Sequence, residues 1–166
     1  MKFTNFIRLV FSTIAPDSRY QENWHVKVIA DRLQAALSGD ITRLIINTPP
    51  RTLKSTCVSV AWPAWILGQN PSARIIVASY SQILSEKLSL ETRCILQSPW
   101  YREVFPEVEI SKEQNTKRKL QTTKLGYRFA TSVGGSLTGD GGNFLILDDP
   151  MNPLQAESIM WLNCAD

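Results

Sequence analysis

The chain has one histidine and three cysteines among its 166 residues, and neither type is arranged for metal or disulfide chemistry. Cys57, Cys94 and Cys164 are odd in number, far apart and without neighbouring histidines. That argues against a disulfide framework or a zinc site and for reduced thiols. His25 has no evident nucleophile partner, so a place on the side of a helix suits it better than catalysis. Long apolar runs are missing as well. The opening MKFTNFIRLVFSTIAP is interrupted by Arg8 and lacks a signal-peptide cleavage pattern, which speaks against a membrane span and predicts an arm or short helix over residues 1–19. Charge of one sign is scarce: 18 basic against 15 acidic residues leave +3, too little to argue for a polyanionic partner without a local patch. No repeat or low-complexity linker divides the chain, and 43% hydrophobic residues over this length predict one domain with a buried core.

Apolar spacing alternates between helical and extended. Trp24, Val28, Ile29, Leu33, Ala36 and Leu37 recur at helical intervals over residues 20–37, and Ser38-Gly39-Asp40 stops them. TRLIIN, residues 42–47, predicts a strand ended by Thr48-Pro49-Pro50. Residues 54–67 predict a helix bent at Pro63 and closed by Gly68, followed by a buried strand at RIIVAS and a helix from about Ser81 to Gln97. PWYREVFP is a short aromatic segment between prolines, residues 119–131 read as a hairpin around Leu125-Gly126, and FLIL is the last strand. This alternation predicts an α/β fold with a mostly parallel sheet and helices on both faces.

Two strand ends carry chemistry, and in open α/β sheets ligands bind at the carboxyl ends of strands. In INTPPRTLKSTC a basic turn joins a strand to a helix. Free N–H groups at the helix start, its dipole and the Lys54 ammonium suit a phosphate; Ser55 could offer a hydroxyl to Mg²⁺ and Arg51 a second cation. A capped helix with exposed basic residues is an equal reading of this stretch alone. In FLILDDP two carboxylates follow four apolar residues, as in a site where Asp148 holds Mg²⁺ through water and Asp149 polarises an attacking water. Alone, the string reads better as an Asp-Asp-Pro turn with helix-capping duty. The pair of motifs in one α/β domain favours a nucleotide.

INTPPRTLKS, WPAWILGQNPSARIIVASYSQILSEKLS, SPWYREVFP, GYRFATSVGGSLTG and NFLILDDP together resemble, in order, the ATPase domain of the large terminase subunit of tailed bacteriophages and prophages. The likeness runs from about Tyr20 to Glu157. It implies a P-loop NTPase domain over residues 20–166 that uses ATP and Mg²⁺ to thread double-stranded phage DNA into a capsid, in the bacterial cytoplasm and away from membranes. It further implies a ring homo-oligomer for the full-length protein, with the portal protein and the small terminase subunit as partners.

Carried over by position, Pro50, Arg51, Thr52, Leu53, Lys54, Ser55 and Thr56 form the family's Walker A phosphate loop. Lys54 takes the phosphate role, Ser55 the magnesium role, and Arg51 stands where a cis-acting catalytic arginine is expected. Leu53 departs from the pattern, since glycine often precedes the lysine in relatives. Asp148 matches the Walker B metal carboxylate, and Asp149 occupies the place of the catalytic acid. The resemblance also puts adenine near Tyr20, Gln21 and Trp24, although aromatics at helical spacing also build cores. In the family a nuclease domain follows, and the strand after Walker B inserts between the two motif strands. Both would lie beyond Asp166, so the domain is expected to be partial, to leave a gap beside residues 42–47 and 144–147, and not to cut DNA.

Two further readings stand beside this one: a truncated prophage remnant that binds nucleotide or DNA without turnover, and a helicase-like P-loop ATPase. Lys112, Lys117, Arg118, Lys119, Lys124 and Arg128 form a basic stretch that could meet DNA phosphates or simply face solvent, and GGSLTG could be a moving loop or a tight connection.

Overall fold

The computed structural model describes residues 1–135, 139 and 141–152. Its helices are α1 (Phe3–Ile14), α2 (Trp24–Ser38), α3 (Trp62–Gln69), α4 (Gln82–Gln97) and α5 (Pro99–Val104). Its strands are β1 (Arg74–Ser79), β2 (Ile110–Asn115), β3 (Lys119–Thr122), β4 (Tyr127–Ser132) and β5 (Phe144–Asp148). Local chemistry explains the boundaries. Gly39 closes α2 in the left-handed conformation, φ 89°, which costs a residue without a Cβ nothing. Ser81 opens α4 by accepting the Leu84 N–H on its hydroxyl at 3.2 Å.

The helix that begins at Lys54 widens into a π-helical segment, Thr56–Ala61, before continuing as α3. Pro63 accounts for the irregularity: it has no N–H for the carbonyl four residues back, that of Ser59, and its ring crowds the same carbonyl. The bend expected at Pro63 therefore takes the form of a widened turn before it.

The sheet runs in the order β2-β3-β4-β1-β5. β1 is parallel to β4 and to β5, while β2-β3 and β3-β4 are antiparallel. The sheet is thus mixed and not mostly parallel, for two reasons. The tight turn at Leu125-Gly126, with Leu125 at φ 65°, folds β3 back onto β4 and extends the sheet by a meander. The strand expected at residues 42–47 joins no ladder, so a second central parallel pairing is not made. Instead this segment lines a cleft of about 1020 Å³ whose opposite wall is residues 142–150. Among the described residues β5 is the last strand of the sheet on that side, and Ile45, Leu145 and Leu147 are 87%, 63% and 58% exposed there.

The buried helical side chains gather with Ile75, Val77 and Ile146 on one face of the sheet. On the other face Gly142 approaches the Ile76 side chain. The helices expected on both faces are, among the described residues, concentrated on the first. α1 belongs to that core: Phe3, Phe6, Ile7 and Val10 are buried, and the Phe6 ring lies 5.1 Å from Trp65 and 5.4 Å from Trp100. Trp100 Nε1 also donates to Thr13 Oγ1 at 3.0 Å. No described helix is long and apolar enough to cross a membrane.

Candidate functional site

The two motifs meet. β5 delivers Asp148 and Asp149 to the carboxyl end of the sheet, and the helix start delivers Lys54 and Ser55 to the same point. Ser55 Oγ donates to Asp148 Oδ1 at 3.1 Å. Lys54 Nζ lies 4.0 Å from Asp148 Oδ1 and forms a short ion pair with Asp149 Oδ1. The carboxylates differ in setting. Asp148 is 3% exposed and its Oδ2 has no hydrogen-bond partner among the described residues, whereas the Asp149 side chain is 52% exposed. Asp149 turns outward because its backbone sits at φ 46°, held by the Tyr80 N–H donating to its carbonyl at 3.0 Å.

The loop before Lys54 is bent tightly. Arg51 and Leu53 stand at φ 63° and 64°, each in the left-handed region that glycine enters freely. The position where the resemblance expects glycine therefore has the backbone of a glycine, with a leucine in it. Thr52, between them, braces the loop: its Oγ1 lies 2.7 Å from the Pro49 carbonyl and 2.9 Å from Thr48 Oγ1. His25 Nε2 is 3.0 Å from the Thr52 carbonyl and must donate, since a carbonyl only accepts. Residues 48–56 and Asp149 enclose a cavity of about 420 Å³, within the range of small-ligand sites.

The site suits Mg²⁺ of the kind that keeps most of its waters. Among the described residues no group of three or more His, Cys, Asp and Glu converges. A hydroxyl and a carboxylate at 3.1 Å, with one buried carboxylate oxygen unpartnered among the described residues, are the groups that could hold such an ion beside water. Lys54 is the local cation for phosphate, and Pro50, Thr52 and Thr56 lie with it around the cavity. Arg51 lines the same cavity and is exposed at its rim.

The adenine candidates are less closely assembled. Tyr20 is half-buried, with its ring 5.5 Å from Phe11, and burial followed by the nearby Cys57 holds its phenol above the ordinary value. Gln21 is exposed, and Trp24 is 74% exposed and edge-on to His25. His25 itself, set aside in the sequence, is the residue of α2 that hydrogen-bonds the phosphate loop. Nothing local signals this, because the contact joins positions 27 apart.

The basic stretch divides. Arg118 pairs with Glu86 at 3.0 Å and Lys124 with Glu107 at 2.7 Å. Arg128 is fully buried and cannot touch DNA: β4 alternation turns it to the core face beside Ile75. In the GGSLTG loop, residues 136–138 lie outside the described residues, as does everything after residue 152. No known family model matches this chain, and no curated protein matches it.

Proposed function

We propose that the chain is the ATPase domain of a terminase-type motor, using ATP and Mg²⁺ to drive double-stranded DNA into a phage capsid in the bacterial cytoplasm. The observation that carries the nucleotide half of this reading is the Ser55–Asp148 hydrogen bond at 3.1 Å, which joins two motifs 93 positions apart. A Walker A hydroxyl and a Walker B carboxylate that share one ion must stand this close. The residues divide the work by position. Lys54 binds phosphate oxygens and leaves Asp149 when it does so; Ser55 and Asp148 hold the metal ion, which supplies charge neutralisation on the phosphates. Asp149, outward and half-exposed, is the carboxylate with room to orient a water. Arg51 at the rim supplies a further cation for the phosphate tail.

The DNA-packaging half is supported by the five sequence strings in family order. A ring of such domains, with portal and small subunit as partners, belongs to the same proposal. Calorimetric titration with Mg²⁺ and a non-hydrolysable ATP analogue, wild type against Lys54→Ala, tests the site; equal affinities would reject it. Phosphate release with and without duplex DNA then tests the motor.

One observation favours a second reading, nucleotide binding without turnover. Among the described residues the cleft beside β5 leaves the segment before the phosphate loop without sheet pairing, so Lys54 and Ser55 follow a support that is not a strand of the sheet. Binding of the analogue without release of phosphate from ATP would select this reading.

A further inference from the structure

Arg128 is a whole guanidinium side chain buried in the core of the domain. Nη2 donates to the Ser59 carbonyl at 3.2 Å, while Nε and Nη1 have no hydrogen-bond partner among the described residues. Burial pushes its pKa down to about 9, against the opposing pull of Glu91 and Asp148, so it stays charged at neutral pH. A buried charge with one neutral acceptor is an expensive way to fill space; an apolar side chain of similar volume serves as well or better. Its position explains what the charge meets. The Ser59 carbonyl is the one that Pro63, four residues on, cannot satisfy. It lies in the π-helical segment directly after Lys54 and Ser55. Asp148 is one of the two carboxylates whose field Arg128 feels, and one Asp148 oxygen is buried without a partner.

We infer that Arg128 is a positioning residue of the nucleotide site: it clamps the Thr56–Ala61 segment to the sheet through the carbonyl that Pro63 leaves open. Lys54 and Ser55 are thereby held at a constant offset from the Asp148 carboxylate. Pro63 and Arg128 form one device, since the proline makes the acceptor and the arginine uses it. The inference rests on the nucleotide reading for its functional half, and on packing alone for its mechanical half.

The test compares wild type with Arg128→Met, Arg128→Lys and Pro63→Ala, well below each melting temperature. Hydrogen exchange of the Thr56–Ala61 amides and calorimetric binding of Mg²⁺ with a non-hydrolysable ATP analogue are measured on each. Arg128→Met should speed exchange in that segment at least tenfold relative to β1 and weaken binding at least tenfold. Arg128→Lys, which keeps the charge, should recover most of the affinity. Pro63→Ala returns an N–H to Ser59, so it should keep or raise the melting temperature while weakening binding severalfold. It decides the matter even if Arg128→Met does not fold. Unchanged segment exchange in a folded Arg128→Met, or unchanged affinity in Pro63→Ala, would overturn the inference. Failure of the wild type to bind the analogue would instead defeat the nucleotide reading, and the exchange data would still judge the clamp.

Discussion

His25 and Thr52 are joined by a hydrogen bond of 3.0 Å from the imidazole Nε2 to the backbone carbonyl, which ties α2 to the middle of the loop before Lys54. The loop has left-handed residues on both sides of that carbonyl, so an anchor there opposes its relaxation. His25→Ala should lower stability by about 1 kcal/mol, the usual worth of one such bond. It should also weaken nucleotide binding severalfold. Paired melting and titration check this; an unchanged affinity would make the contact incidental.

Lys54 faces both carboxylates, so on the proposed reading phosphate binding would free Asp149. Lys54→Ala should cost at least tenfold in affinity for the Mg-ATP analogue, as expected for about 1.5–3 kcal/mol in a charged hydrogen bond. Asp149→Asn should keep the affinity, because asparagine tolerates the φ of 46°, and suppress any hydrolysis. If Asp149→Asn abolished binding, Asp149 would belong to the metal shell.

Leu53 at φ 64° makes a reversed rank order testable. Both Leu53→Ala and Leu53→Gly remove the same packing against the core. Only glycine also relieves the left-handed strain, about 1–2 kcal/mol. Leu53→Gly should therefore melt above Leu53→Ala, opposite to their usual order within regular elements. Equal or inverted melting temperatures would show that the loop leaves the left-handed region in solution.

Leu145 stands 63% exposed on β5, beside the open cleft. Unpaired backbone and apolar side chains at such an edge promote association. The chain should self-associate at micromolar concentration, and Leu145→Lys should reduce this while changing stability by no more than about 0.5 kcal/mol. Sedimentation velocity on both chains decides, and a monomeric wild type would refute the argument.

What the sequence discloses follows the range of the interactions involved. β1 and the caps at Gly39 and Ser81 are local events, written in RIIVAS and in single residues, and they stand where periodicity predicts. Lys54, Ser55, Asp148 and Asp149 stand out in the sequence as polar residues after short apolar runs, and the Ser55–Asp148 hydrogen bond brings the two stretches together although only the second run is a strand of the sheet. Residues 42–47 have strand composition, but pairing belongs to neighbours and β5 does not reach them. Arg128 was misread for a related cause: amid Lys117, Arg118, Lys119 and Lys124 its charge looks solvated, and only the register of β4 against β1 turns it inward. β2, polar and half-exposed, offers no apolar alternation to see.

The ring of Phe6 bears on the order in which the chain can acquire structure. Apart from Phe3, its ring neighbours Trp65, Trp100, Tyr101 and Phe105 are far downstream. As the chain leaves a ribosome, α1 emerges before α3 and α5, and the pocket for this ring is complete only when both have followed it out. An amphipathic helix of 12 residues is marginal by itself in water, so α1 stays a fluctuating apolar segment until then. Such closure between distant segments slows folding, and it makes the first fourteen residues the stretch a chaperone would hold longest.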